Sequence, residues 1–362
     1  MKIGILTFHR AHNYGAVLQC YALQQYLIQE GHDVYVIDYN NKQLWEGYNW
    51  RDRERERVIL KSGIKLPIRL YRYLDCRKRQ IVRYYKFKYF QEHVIRLAEL
   101  KTITESPYDL ILIGSDQVWN PSITHGFDSY YWGLFERPST TKVATYAASL
   151  RAFWEEDQYE YIYNALKKLD GISAREASVG RYVNGLFPDL NVLCVPDPVM
   201  LLSPMRWKKL AKTPTINVPY VFFYQAETSE TVYQVALEIA LHHGLPLFVL
   251  SADQWAVNSK ECHSASPQEF LGWILNAKLV VTSSFHALVF CILFQKDFYA
   301  VNMNRGQDER LKNVISMFGL DDRLIDNSTQ CKTLKPFSVN EQLRLMTEKA
   351  HEYISLITKK LF

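Results

Sequence analysis

Short apolar runs that stop abruptly at polar clusters, each followed by a segment of helical spacing, constrain this chain more than any other feature. Ile3–Phe8 opens the sequence as such a run, His9–Gly15 is polar, and Ala16–Glu30 places Leu18, Ala22 and Tyr26 on one stripe before Gly31. Asp33–Asp38 reads as the next strand. Runs with no polar alternation suit strands covered on both faces, which is the condition of a parallel sheet flanked by helices. The rhythm returns at Asp109–Ile113, Lys142–Ala148, Ile172–Arg175 and Asn191–Val195. It continues at Tyr220–Tyr224, Pro246–Leu250, Lys278–Val281 and Phe298–Asn302. Helices are expected at Ser229–His242, from the capping box Ser266-Pro-Gln-Glu269, from Phe285 onward, over Asp308–Phe318, and from Ser338-Val-Asn-Glu341 towards Lys359. The 362 residues suit about two domains. The expected organisation is an N-terminal α/β domain over 1–190, a second over 191–335 and a C-terminal helix over 336–362. Pro196-Asp197-Pro198 would be a rigid turn at the hinge.

Residues 41–100 break the rhythm. Between Arg51 and Phe90 there are fourteen Lys or Arg against four acids, interleaved with Tyr71, Tyr73, Tyr84, Tyr85 and Tyr89. This reads as a basic insert of two helices in the first domain. A basic, tyrosine-rich face suits an anionic membrane surface, and 51–90 is expected to make peripheral membrane contact, with a solvated helix pair as the plainer reading. The whole-chain charge of +5 is too small to imply nucleic acid as a partner. The six cysteines are scattered without a C-x-x-C pair, and neither H-x-x-x-H nor an Asp cluster is present. Neither a disulfide scaffold nor a metal site is expected. The start runs straight into His9-Arg10 and does not resemble a signal peptide, and the run Leu279–Phe294 is interrupted by Thr282, Ser283, Ser284 and His286. A cytoplasmic protein, peripheral at the inner face of the membrane, is the expectation.

Ligands of open parallel sheets bind at the carboxyl ends of strands, and four loops there carry chemistry. His9-Arg-Ala-His-Asn-Tyr-Gly15 precedes a helix, where free N–H groups suit a polar ligand; equally, Asn13 caps the helix and Gly15 turns the chain. Gly114-Ser-Asp-Gln-Val-Trp-Asn-Pro121 puts Ser115, Asp116, Gln117 and Trp119 after an apolar strand. This is an Asx turn or a sugar-binding surface, with Asp116 and Gln117 holding an acceptor. Ser173-Ala-Arg-Glu176 offers Arg175 as a fork for a carboxylate or phosphate. On the tetrapeptide alone a domain-spanning Arg–Glu salt bridge is the better reading. Thr282-Ser-Ser-Phe-His286 places three hydroxyls and a histidine at a strand–helix junction, where His286 is either a satisfied structural residue or a functional one.

The ordered set Asn13-Tyr-Gly-Ala16, Ile113–Pro121, Tyr146-Ala-Ala-Ser149, Ile172–Glu176, Asp197-Pro198 and Val281–Phe290 resembles the polysaccharide pyruvyl transferase family. The resemblance implies two Rossmann-like domains with parallel sheets facing across a cleft, in the manner of GT-B glycosyltransferases, with the acceptor on the first domain and the donor on the second. It also implies phosphoenolpyruvate as co-substrate, no cofactor, and a glycan or lipid-linked oligosaccharide as acceptor, which would receive pyruvate as a ketal. On that resemblance Arg175 and His286 are catalytic, and Arg175, Ser283, Ser284, His286 and Arg305 bind the donor. Asn13, Gly15, Ser115, Asp116, Gln117 and Trp119 bind the acceptor. Better-known members carry Arg-Leu before the histidine, where this chain has Ser284-Phe285. A nucleotide-sugar glycosyltransferase and a non-catalytic glycan-binding assembly protein are the alternatives.

Overall fold

The structure is a computed structural model that describes residues 1–41, 66–151, 153–251, 264–303 and 308–359. Backbone packing divides it into two units. Of the described residues, 1–41, 91–203 and 338–359 form the first, and 66–90 with those between 204 and 337 form the second.

The first unit is built on strands β1 (Lys2–Leu6), β2 (Asp33–Asp38), β3 (Leu97–Glu99), β4 (Leu110–Ile113) and β5 (Lys142–Thr145). They form one sheet in the order β3-β2-β1-β4-β5. Every pair is parallel, Ile5 lying opposite Val36 on one side and Leu112 on the other. β6 (Ile172–Ala174) and β7 (Val192–Cys194) pair with each other and continue the layer through single bridges from Ala144 to Gly171 and from Ala148 to Ala174. β1 and β4 are the central strands; Ile3, Ile5, Leu6 and all four residues of β4 have no exposed surface. That full burial is why these strands read as unbroken apolar runs. Helices α1 (Tyr14–Gln29), α2 (Leu66–His93), α3 (Thr102–Glu105), α4 (Pro121–Thr124), α5 (Tyr159–Leu166) and α6 (Ala177–Leu186) connect them, α2 contributing to this unit from Gln91. The strand order is that of the doubly wound dinucleotide-binding sheet.

The second unit repeats the plan. β8 (Val221–Gln225), β9 (Leu247–Ser251), β10 (Leu279–Thr282), β11 (Phe298–Val301) and β12 (Leu324–Ile325) form a parallel sheet in the order β12-β11-β10-β8-β9. Helices α7 (Pro204–Leu210), α8 (Glu230–His242), α9 (Pro267–Asn276), α10 (Phe285–Leu293) and α11 (Asp308–Met317) accompany it. Ser266 caps α9 as the sequence predicts, its hydroxyl accepting from Glu269 N–H while the Glu269 carboxylate accepts from Ser266 N–H at 2.7 Å.

Two parallel-sheet α/β units and a C-terminal helix were legible in the pattern; the segment assignments differ in three places. The chain stays in the first unit to Ser203 rather than 190, and Asp197 is held inside that unit by Arg175. The C-terminal helix α12 (Asn340–Lys359) is part of the first unit, where Tyr353 Oη donates to Thr145 O at 2.6 Å. Gly171 permits this packing, since a Cβ there would meet Ile357 Cγ2 at 2.5 Å. Within the insert, residues 42–65 lie outside the described residues, and with them part of the expected helix pair; the described part holds one long helix, α2. Its residues through Phe90 group with the second unit and not with the first. There Lys86 Nζ pairs with Glu269 Oε2 at 2.6 Å, and Phe87 and Phe90 are fully buried. Burial alone would raise the Glu269 carboxyl, but Lys86 and the Ser266 amide hold it below its ordinary range.

Candidate functional site

Each sheet has a point where neighbouring strands send their connections in opposite directions, and open α/β sheets take ligands at that carboxyl edge. In the first unit the switch lies between β1 and β4. The loops leaving these two strands are His9–Asn13 and Gly114–Asn120, which hold Asn13, Ser115, Asp116, Gln117 and Trp119, with Gly15 following in the first turn of α1. Thr7 Oγ1 donates to Ser115 O at 2.9 Å and accepts from Gln19 Nε2 at 2.9 Å, pinning the two loops in the interior. Asn13 caps α1, its Oδ1 accepting from Gly15 N–H at 2.9 Å and Ala16 N–H at 3.3 Å.

The six residues are not equivalent. Ser115 has no exposed surface and its hydroxyl donates to Ala147 O at 2.9 Å. Trp119 is equally buried, stacked on Trp132 at 6.1 Å, and its indole N–H lacks a hydrogen-bond partner among the described residues. Asp116 and Gln117 are half-buried. Asp116 has φ 80°, in the left-handed region, and its Oδ1 accepts the Gln117 N–H at 2.9 Å. Gly114, at φ +114°, makes the turn possible, because a Cβ there would lie 2.4 Å from Tyr146 O. Gly114→Ala should therefore cost about 2–4 kcal/mol of stability, combining left-handed strain with backbone overlap. Urea denaturation reads this directly, and a loss under about 1 kcal/mol would show that the turn is not fixed by that contact.

Arg175, at the end of β6, is buried in the same unit with a side-chain exposure of 3%. Its Nε donates to Glu176 Oε1 at 2.9 Å, Nη1 to Asp197 Oδ2 at 3.0 Å and Nη2 to Ser149 Oγ at 3.1 Å. Ser149 in turn donates to Glu176 Oε1 at 3.0 Å. Desolvation works against the charged guanidinium, but the carboxylates of Glu176, Asp197 and Asp116 more than offset it and raise its pKa. Among the described residues, three carboxylates act on this one guanidinium. An Arg–Glu salt bridge does form, but with the adjacent Glu176 of the same unit and not as a domain-spanning pair, and Asp197 is a further partner 22 residues away.

Sequence reasoning missed a second, half-buried knot before α1. His9 has no exposed surface; its Nε2 lies 3.0 Å from Asp38 Oδ1 and its Nδ1 3.1 Å from Thr7 O. Arg10 Nε donates to Asp38 Oδ1 at 2.8 Å. Burial would raise the Asp38 carboxyl, but these two partners hold it well below the usual carboxylate range. The visible signal was an acid at the end of the second strand of a βα unit, a position that faces the ligand edge in this topology.

In the second unit the switch point lies between β8 and β10. Thr282 Oγ1 donates to Tyr224 O at 2.6 Å and accepts from Ser284 N–H at 3.0 Å, which ties the β10 loop to the end of β8. Ser284 stands at the N-cap of α10 without a side-chain cap hydrogen bond, and Ser283 Oγ is buried with no partner among the described residues. His286 lies half-buried in the first turn, its ring edge-on to Phe285 at 5.1 Å. These groups form a cradle of amides and hydroxyls at the positive end of a helix dipole, suited to an anion. Arg305 lies outside the described residues. Among the described residues no group of three or more His, Cys, Asp or Glu could hold a metal ion, and no helix is long and apolar enough to cross a membrane.

The polysaccharide pyruvyl transferase family model matches residues 13–305, most of the chain. The chain belongs to that family, and it is an enzyme of this kind, a transferase acting in polysaccharide pyruvylation. The search of curated proteins found no match. Solved structures with detectable likeness are distant. A UDP-GlcNAc 2-epimerase from Methanocaldococcus jannaschii is 12% identical, with a TM-score of 0.47, and 96% of this chain and 92% of that one are covered. A functionally uncharacterized protein from Klebsiella pneumoniae is 14% identical over 69% of this chain and 88% of that one, with a TM-score of 0.39. The E. coli heptosyltransferase WaaC with ADP is 12% identical over 83% and 87%, with a TM-score of 0.37.

Proposed function

We propose that this protein transfers pyruvate from phosphoenolpyruvate to two hydroxyls of a sugar in a surface polysaccharide or its lipid-linked precursor, forming a ketal. Family membership across residues 13–305 carries this reading. In the reaction, a proton added to the enol ester's methylene carbon makes C2 electrophilic. One sugar hydroxyl then attacks C2, the phosphate departs, and a second hydroxyl closes the ring. The donor therefore demands anion binding and an acid, and the acceptor demands a base and polar contacts.

The α10 cradle fits the donor, with Ser283, Ser284, His286 and the first-turn amides as its ligands and His286 as the proton donor. Arg305 is a further candidate clamp. The β1–β4 edge of the first unit fits the neutral acceptor. Asp116 and Gln117 are accessible enough to bond sugar hydroxyls, Ser115 and Trp119 shape their loop, and Asn13 and Gly15 fix the start of α1. Arg175, surrounded by carboxylates, suits a positioning role better than direct contact with a doubly charged donor, because its charge is already spent on those acids. The test incubates the protein with phosphoenolpyruvate and a panel of glycosides and lipid-linked sugars. Phosphate release coupled to the mass gain of a ketal is expected; turnover of nucleotide sugars in place of phosphoenolpyruvate would overturn the reading.

A lipid-linked acceptor sits at a membrane, and one face of α2 suits that location. Leu74, Lys78, Val82, Tyr85 and Tyr89 recur every three or four residues and are all exposed. Basic residues at an anionic surface contribute about 1 kcal/mol each. Flotation should show binding to vesicles containing phosphatidylserine and little to pure phosphatidylcholine, with Tyr85→Ser and Tyr89→Ser together weakening it. Binding independent of anionic lipid would remove this contact.

A further inference from the structure

We propose that the exposed ring of Phe153, backed by Tyr182, is a stacking subsite for a sugar ring of the acceptor glycan beyond the residue that reacts. The proposal rests on the reading of this family as acting on polysaccharide and adds a place where chain length is sensed.

Phe153 is 72% exposed, more than any other large hydrophobic residue among those described. It is nevertheless held in place. Its ring lies against Tyr182, with centroids 4.3 Å apart and planes at 38°. The Tyr182 hydroxyl accepts the Trp154 N–H at 3.0 Å, fixing the backbone beside Phe153. Trp154 turns inward, 4% exposed, and its indole Nε1 donates to Trp119 O at 3.2 Å. At the start of the same loop Ser149 N–H donates to Asp116 O at 2.9 Å. The loop after β5 is thus bonded at both ends to the loop carrying Asp116 and Gln117. Phe153 projects from its rim, on the flank of the edge assigned to the acceptor.

The chemistry of the surroundings selects the ligand. An exposed ring of this size has apolar surface still to bury, and the C–H face of a pyranose supplies the apolar partner. Arg151, Glu155, Glu156 and Asp157 are exposed on either side. The three acids disfavour an anionic membrane, and a single ring framed by charges is far smaller than the apolar patches that bind proteins. A neutral polyhydroxylated chain satisfies both the ring and its polar frame.

The experiment compares wild type, Phe153→Ala and Phe153→Trp with two kinds of probe, methyl β-galactoside or methyl β-glucoside and β-1,4-galactotetraose or cellotetraose. Binding is read by saturation-transfer NMR and tryptophan fluorescence without any donor, and acceptor KM and kcat are read with phosphoenolpyruvate. Phe153→Ala should weaken a tetrasaccharide about tenfold through KM, leave kcat and the methyl glycosides within about twofold, and unfold at the wild-type temperature. Phe153→Trp should restore affinity. Equal loss on both probes, no loss on either, or a wild type that prefers no tetrasaccharide over its methyl glycoside would overturn the subsite. Because binding is measured without donor, failure of pyruvyl transfer and failure of the subsite are separate results.

Discussion

Arg175→Ala is expected to lower the free energy of unfolding by about 3–5 kcal/mol, the range for removing one partner from a buried ion pair. The guanidinium is shared between Glu176 and Asp197, whose side chains are 8% and 0% exposed. Alanine would leave both carboxylates in the interior without their cation, and the Ser149 hydroxyl without one of its donors. Asp197 also accepts the Val199 N–H at 2.9 Å, so its displacement would loosen the turn entering 198–201 as well. The comparison that isolates charge from shape is Arg175→Met combined with Glu176→Gln and Asp197→Asn. This set removes cation and anions together, and replacing a whole buried ionic group is often close to neutral. The triple variant should recover at least half of the stability lost by Arg175→Ala in urea denaturation. If Arg175→Ala stays within about 1 kcal/mol of wild type, the residue is not the lock described here and its assignment to donor binding regains its force.

The contrast between what sequence revealed and what it hid is one of distance along the chain. β1, β4, β8 and β10 are central parallel strands with both faces covered, so composition alone marks them as apolar runs. β3 and β12 are short edge strands of three and two residues, too brief for any periodicity to register. The caps at Asn13 and Ser266 were legible because a cap is decided within four residues. The return of α12 to the first unit is decided by Tyr353 reaching Thr145, 208 residues earlier, and by the bare Cα of Gly171. No local pattern encodes such a contact.

The candidate site divides along the same line. Residue types at strand ends were readable, and both switch points fall where the polar loops were found. Which of those residues face outward was not readable. Ser115 and Asp116 are neighbours of similar polarity, yet one is sealed against Ala147 O and the other half-open, because Gly114 and the positive φ of Asp116 turn the chain between them. Arg175 was recognisable as an unusual cation, and its pairing with Glu176 could be anticipated. The second carboxylate, Asp197, reads as part of a hinge because nothing local links it to β6.

His286→Ala is expected to reduce kcat for pyruvyl transfer by about 10²–10⁴-fold, the span attributable to a positioned general acid. The imidazole belongs to the first turn of α10, beside the buried Ser283 hydroxyl and at the positive end of the helix. A donor phosphate and carboxylate bound there would bring its methylene carbon within reach of a proton on that ring. The fold should tolerate the change, since the side chain lies at the helix start outside the fully buried core and the alanine that replaces it favours helix. Thermal unfolding within a few degrees of wild type is therefore part of the expectation. Ser283→Ala supplies the contrast, because its hydroxyl can bind the donor but cannot supply the proton. It should raise the KM for phosphoenolpyruvate severalfold with kcat nearly unchanged. A His286→Ala protein that keeps more than a tenth of wild-type kcat would move the proton transfer to another group. Loss confined to KM would make His286 a donor ligand alone.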